Sequence, residues 1–176
     1  MIPTISEFCG QFLKESDGLP LLKNLPVHND GFRRVKVRKH TKKDTFDKAF
    51  NEAFSVHYDL RQRSIFANGD LTLKGDILKD LEPFYIFPKD GYQYLYSLSV
   101  FDSNEQYKDT FDEFVKQLSS PSRAISFFKD VLKYNYVSNN LPEGIRTGSE
   151  IIIYGIPYYY AIRKSLIESY ENMIYD

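Results

Sequence analysis

The residues best placed to do chemistry lie in Arg146-Thr147-Gly148-Ser149-Glu150-Ile151-Ile152-Ile153-Tyr154, where one carboxylate stands at the entrance of the most apolar run of the chain. Residues 151–153 are β-branched and are followed by Tyr154 and Ile156, the composition of a buried strand, and Thr147-Gly148-Ser149 supply a turn ahead of it. Glu150 at such a strand end is expected to look into a cleft. Partial desolvation there strengthens its hold on a hydroxyl or on a developing cation. The plainer alternative is a strand-end carboxylate in open solvent.

The complementary charge sits in residues 32–43, which carry seven Lys or Arg in twelve positions. Arg34, Lys36 and Arg38 alternate with Val35 and Val37, the period of a half-exposed strand that gathers its cations on one face. Such a face either binds phosphate or is simply solvated. A second basic segment, Arg61-Gln62-Arg63-Ser64-Ile65-Phe66-Ala67-Asn68-Gly69-Asp70, sets a short apolar strand between two arginines and a turn.

Composition removes several function classes. Lys plus Arg is 23 against 24 for Asp plus Glu, a net charge of −1, so a general nucleic-acid binder is not expected and only the local basic run could serve as a patch. Three scattered histidines (His28, His40, His57) and one cysteine give no metal-ligand spacing, and neither a Gly-rich phosphate loop nor a Gly-x-Ser-x-Gly elbow is present. The single Cys9 rules out an internal disulfide and suits a reducing compartment, with the cytosol as the expectation. No run approaches the roughly 20 apolar residues that span a bilayer, and the N-terminus has no targeting pattern, so no membrane partner is expected.

At 176 residues, 42% hydrophobic and with 14 Tyr and 14 Phe, the chain is expected to fold as one domain, residues 1–176, with a core rich in rings. Thr4-Ile5-Ser6-Glu7 has capping-box spacing and opens a helix over residues 4–15, whose apolar stripe includes Cys9 as a small core residue. A short strand follows within residues 18–26. Asp44 is placed to cap a helix carrying Phe46, Ala49, Phe50, Ala53 and Phe54. The aromatic runs 82–88 and 92–100, joined by Lys89-Asp90-Gly91, predict a hairpin, and the Tyr92-Tyr94-Tyr96 stripe is either core or a pocket wall. Two helices carry the stripes Tyr107-Phe111-Phe114-Val115-Leu118 and Ile125-Phe128-Val131-Leu132, the second started by Ser119-Ser120-Pro121. Pro157 separates the Glu150 strand from a short or edge strand over 158–162, and Leu166, Ile167, Tyr170 and Ile174 predict a terminal helix.

In order, Phe8-Cys9, Leu22-Lys23-Asn24, residues 38–45, Arg63-Ser64-Ile65-Phe66-Ala67-Asn68-Gly69, Phe87-Pro88-Lys89-Asp90-Gly91-Tyr92 with Ser97, and Ser149-Glu150-Ile151-Ile152-Ile153 cover nearly the whole chain. This series resembles a group of small bacteriophage proteins and, more remotely, the mono-ADP-ribosyltransferase fold of the arginine, serine, glutamate type. The resemblance implies an α+β fold of mostly antiparallel sheets with flanking helices. It also implies NAD as the compound bound, with the cation of the first strand gripping its phosphates, a Ser-bearing strand shaping the nicotinamide pocket, and a Glu holding the ribose 2′-hydroxyl. On this chain those roles fall to Glu150 as the catalytic acid, to Ser64 or Ser97 at the nicotinamide site, and to Arg63 with Lys23 at phosphate.

The chain departs from the pattern where Leu-x-Arg-Gly is replaced by Leu22-Lys23-Asn24, because lysine lacks the two-pronged fork that suits a pyrophosphate. Arg33, Arg34, Arg38, Arg61 or Arg63 could supply it. The resemblance therefore implies one of two things. The first is a phage ADP-ribosyltransferase-like protein acting with NAD on a host protein. The second is a non-enzymatic relative, a virion component or host-factor binder, that meets a host protein or other phage proteins through Tyr158, Tyr159, Tyr160 and the Tyr92-Tyr94-Tyr96 strand. The host cytoplasm or the virion is the location implied.

Overall fold

Backbone pairing, rather than chain order, decides which of these residues meet. The computed structural model describes residues 4–27, 30–39, 45–54 and 59–166. In order they form α1 (Ile5–Glu15), β1 (Leu22–Pro26), β2 (Gly31–Arg34), α2 (Thr45–Ala53), α3 (Leu60–Arg63), β3 (Ile65–Ala67), β4 (Leu81–Pro88), β5 (Gln93–Ser97), α4 (Ser103–Leu118), α5 (Pro121–Asn135), β6 (Tyr136–Val137), α6 (Leu141–Thr147), β7 (Ile151–Tyr154) and β8 (Tyr158–Arg163). Asp44, the last part of the basic run, the three histidines and the apolar stripe from residue 167 onward lie outside the described residues. Every strand pair is antiparallel, in two four-stranded sheets of order β1-β4-β8-β2 and β3-β7-β5-β6. The α+β class with flanking helices is the one expected.

Among the described residues, backbone hydrogen bonds join the two sheets at a bridge beside β1. Leu22 at the start of β1 and Asn68 just past β3 exchange backbone hydrogen bonds of 2.7 and 2.9 Å, so the first strand lies beside the strand that follows Ser64. The consecutive isoleucines of β7 are all fully buried because both faces of their sheet are covered. Ile151 and Ile153 join the core shared with α1, α6 and the first sheet, while Ile152 joins the core under α2, α4 and α5. Alternation gives Glu150 the same parity as Ile152, so its side chain faces the α2, α4 and α5 layer.

Thr4 and Glu7 form the expected reciprocal cap. Cys9 is fully buried, donates to the Phe87 carbonyl at 3.3 Å and is pushed up to about 12, first by burial and then by the nearby Asp90 charge. A thiol so placed packs and does not attack. The stripes of α2, α4 and α5 and the Tyr92 and Tyr96 rings are core.

Three expectations are corrected. Runs 82–88 and 92–100 are not a hairpin, since β4 belongs to the first sheet and β5 to the second. The Asp-Gly turn is present, but α1 captures it: Asp90 N–H donates to Phe8 O, Asp90 Oδ1 accepts from Gln11 N–H, and Gly91 N–H donates to Gln11 Oε1. The basic strand stops at Arg34 because its partner ladder runs into Pro157, which has no N–H, and Val35 N–H closes onto the Pro157 carbonyl. The chain then crosses so that Arg38 N–H reaches Gln62 O at 2.9 Å. Finally, of the two alternatives after Pro157 the separate strand holds and the edge position does not, since β8 lies between β4 and β2.

Gly69, just after β3, has no room for a side chain, because a Cβ there would stand 1.9 Å from the Ile145 carbonyl oxygen of α6. Gly69→Ala is expected to lower the free energy of unfolding by about 2 kcal/mol or more, the overpacking effect of a contact against backbone. Urea unfolding measures it, and an unchanged midpoint would contradict this packing of the β3 exit against α6.

Candidate functional site

Glu150 is only 5% exposed, yet it lines a cleft of about 250 Å³ together with Lys23, Asn24, Arg38, Arg61, Asn68, Asp102 and Asn104. The cleft opens where the two sheets part, beside the Leu22–Asn68 bridge. Phe66 also lines it, with its ring 4.8 Å from the Arg61 guanidinium and 6.0 Å from that of Arg38.

A buried polar network fixes the carboxylate. Oε2 accepts from Ser103 N–H at 3.0 Å and from Ser103 Oγ–H at 3.1 Å, and Oε1 accepts from the Tyr136 hydroxyl at 2.6 Å. Ser103 Oγ in turn accepts from Arg61 Nη1 at 3.0 Å, Arg61 Nη2 donates to Asn104 Oδ1 at 3.2 Å, and Arg61 Nε pairs with Asp47 at 3.0 Å. Burial raises the Glu150 carboxyl above its usual range, against the Ser103 and Tyr136 donors and the Arg61 charge that favour ionisation. Burial, followed by the Glu150 charge, raises the Tyr136 phenol too, so Tyr136 stays a donor. An ionised carboxylate offers about four lone-pair sites, of which donors among the described residues fill three, leaving one on Oε1 to suit a ligand hydroxyl.

Lys23 and Arg38 bring positive charge to the same cleft. The Lys23 amine donates to Phe66 O at 2.6 Å. Desolvation, then the Arg38 charge, brings it down to about 8, with Glu150 and Asp102 pulling the other way. Among the described residues neither Lys23 nor Arg38 makes an ion pair. Both also line an adjoining trough of about 860 Å³.

The serines fall elsewhere. Ser64 lines that trough, and with Arg34, Arg63 and Tyr154 it lines a separate hollow of about 260 Å³; its Oγ is buried without a partner. It shares a hollow with Lys23 and Arg38 but not with Glu150, because antiparallel pairing puts Ile65 opposite Ile153 and so sets Ser64 at the far end of β3. Ser97 is fully buried and lines none of these hollows. Its Oγ accepts from Ser99 N–H and Val100 N–H, and its own N–H donates to the Glu150 carbonyl. It shapes the turn that carries Ser103 toward Glu150. Arg63 is exposed in the hollow with Ser64.

Sequence reasoning missed Ser103, Tyr136, Asp102, Asn104 and Asn68. Asp102-Ser103-Asn104-Glu105 did carry a signal: Asp102 caps α4, accepting from Asn104 N–H and Glu105 N–H. The tyrosines proposed as an interaction surface are largely core, with Tyr92, Tyr96, Tyr159 and Tyr160 buried and Tyr94 and Tyr158 half-buried. Among the described residues no cluster of three or more His, Cys, Asp or Glu could hold a metal, and no helix is long and apolar enough to cross a membrane. Scans against protein-family models, curated proteins and solved structures each returned no match.

Holding a cation in this cleft has a stability signature. The folded chain releases the Lys23 proton near pH 8, whereas the unfolded chain keeps it to about 10.5. Between those values the unfolded state binds more protons, so stability rises with pH. Relative to Lys23→Met, which keeps the stem without the charge, wild-type unfolding free energy is expected to gain about 1–3 kcal/mol across that window in denaturant titrations. Parallel curves for the two proteins would refute the buried cation.

Proposed function

We propose that the cleft binds NAD and that Glu150 supports transfer of its ADP-ribose to a host protein. The observation that supports this reading is the meeting of one carboxylate with two cations that make no ion pair among the described residues, where β1, the exit of β3 and the start of β7 come together; Ser64 and Ser97 stand outside that cleft. Cleavage breaks the bond between ribose C1′ and the nicotinamide nitrogen, and the electron pair leaves with nicotinamide. A nucleophilic side chain of the target then bonds to C1′ and gives up its proton.

Positive charge develops at C1′ as that bond stretches, as in glycoside cleavage, so an ionised Glu150 close to the ribose lowers the barrier. Its free Oε1 lone pair suits a ribose hydroxyl, while the Ser103 and Tyr136 donors hold the carboxylate in place without reorganisation. Arg38 brings the fork that Lys23 lacks, so the pair replaces the single arginine of the sequence pattern at the pyrophosphate. The adjoining trough, which shares Lys23 and Arg38, gives room for the rest of a dinucleotide.

A second reading has its own support. Both Glu150 oxygens already carry protein donors, as a purely structural buried carboxylate would. On that reading the protein is a virion component or host-factor binder with a cleft that does no chemistry.

Purified protein incubated with NAD labelled in its adenylate part and with host lysate separates the two. Label is expected on protein, reduced about a hundredfold or more in Glu150→Gln, the scale of losing one electrostatic stabiliser. The acid limb of the rate should lie above the usual carboxylate range, because Glu150 must be ionised and burial raises it. No label, or label undiminished in Glu150→Gln, would favour the non-enzymatic reading.

A further inference from the structure

The Lys23 amine is placed to do more than attract a phosphate. Its side chain is half-buried, its one hydrogen bond runs to Phe66 O at 2.6 Å, and it lines both the cleft and the trough. The charged groups acting on it are Arg38, Glu150 and Asp102. None of them is ion-paired to it.

We infer that Lys23 is a carbonyl-reactive amine that takes an aldehyde bearing a phosphate group, with Arg38 holding the phosphate. The inference rests on the cleft alone and not on the NAD reading. The neutral amine adds to the carbonyl carbon, the C=O π pair moves to oxygen, and a proton passes from nitrogen to that oxygen to give a carbinolamine. Loss of its hydroxyl with the second nitrogen proton, as water, leaves the C=N bond. Nothing is oxidised or reduced.

Geometry sets the partners, and burial supplies the neutral amine. Held down to about 8, roughly half of Lys23 is unprotonated at that pH, against about 1% or less of a solvent lysine. Desolvated lysines are the ones that form Schiff bases. Arg38 supplies a planar fork that grips two oxygens of one phosphate.

The full-length chain, treated with pyridoxal 5′-phosphate or with unphosphorylated pyridoxal and then reduced with borohydride, is digested and mapped by mass spectrometry. Lys23 is expected to be labelled ahead of all other lysines, with a rate profile that bends near pH 8. The phosphorylated aldehyde should react about tenfold faster than pyridoxal, the effect of one charge-assisted hydrogen bond. That preference should vanish in Arg38→Ala, and inorganic phosphate should protect the wild type. Labelling of surface lysines ahead of Lys23, a profile with no bend below about pH 10, or equal rates for the two aldehydes would overturn the proposal. Each of these is read on the wild-type chain, so none depends on a variant folding.

Discussion

The arrangement depends on one buried guanidinium. Arg61 is 5% exposed and lies within 5.4 Å of three aromatic rings, Phe46, Phe50 and Phe66. It joins Asp47 of α2, Ser103 at the start of α4 and Asn104 beside it. Asp47 also accepts from Gln62 Nε2 at 2.7 Å, and Asn51 links Gln62 to the Arg61 backbone N–H. Leaving a buried charge of this kind without its partner costs about 3–5 kcal/mol. Helices α2, α3 and α4 are therefore tied at one point, and Ser103 is turned toward Glu150.

The α4 side of the cleft follows from that tie. Ser103 gives Glu150 two donors, Tyr136 gives a third, and the carboxylate stays at the mouth of the β7 strand although burial works against its charge. Across the cleft the Glu150 and Asp102 charges favour the cationic form of Lys23, while desolvation and the Arg38 charge work against it and bring it down to about 8. Packing alone would have favoured apolar residues at both positions, since isolated buried charges are costly. Two opposite charges kept apart in one cleft, each shifted by desolvation, form the pattern that singles out a candidate functional site.

Much of the fold was legible in the sequence because it is local. The capping box at Thr4, the ring stripes of α2 and α4, the Ser-Pro start of α5 and the isoleucines of β7 are patterns complete within a few turns or a single strand. The false hairpin shows the limit. Asp90-Gly91 makes its turn and is held by α1, some eighty residues away, but which sheet each flank joins is decided by distant strand partners, β1 and β8 for β4 and β7 and β6 for β5. Of the site, Glu150 and Lys23 were legible as charges beside strands. The donors that bury Glu150 were not, since Ser103 lies 47 positions before it and Tyr136 lies 14. The serines were placed less well for a like reason: strand register, which no short motif encodes, puts Ser64 at the end of β3 away from Glu150 and leaves Ser97 buried at the end of β5, where its Oγ accepts from the bend that follows.

The most direct measurement is a crystal structure of the wild-type chain grown with NAD at low salt, where screening of the cleft cations is least. Dinucleotide density is expected in the cleft, with a ribose hydroxyl within hydrogen-bond reach of Glu150 Oε1 and phosphate oxygens against Lys23 and Arg38. A dinucleotide bound away from Glu150, or a cleft with no density while NAD is in large excess, would contradict the assignment of this site.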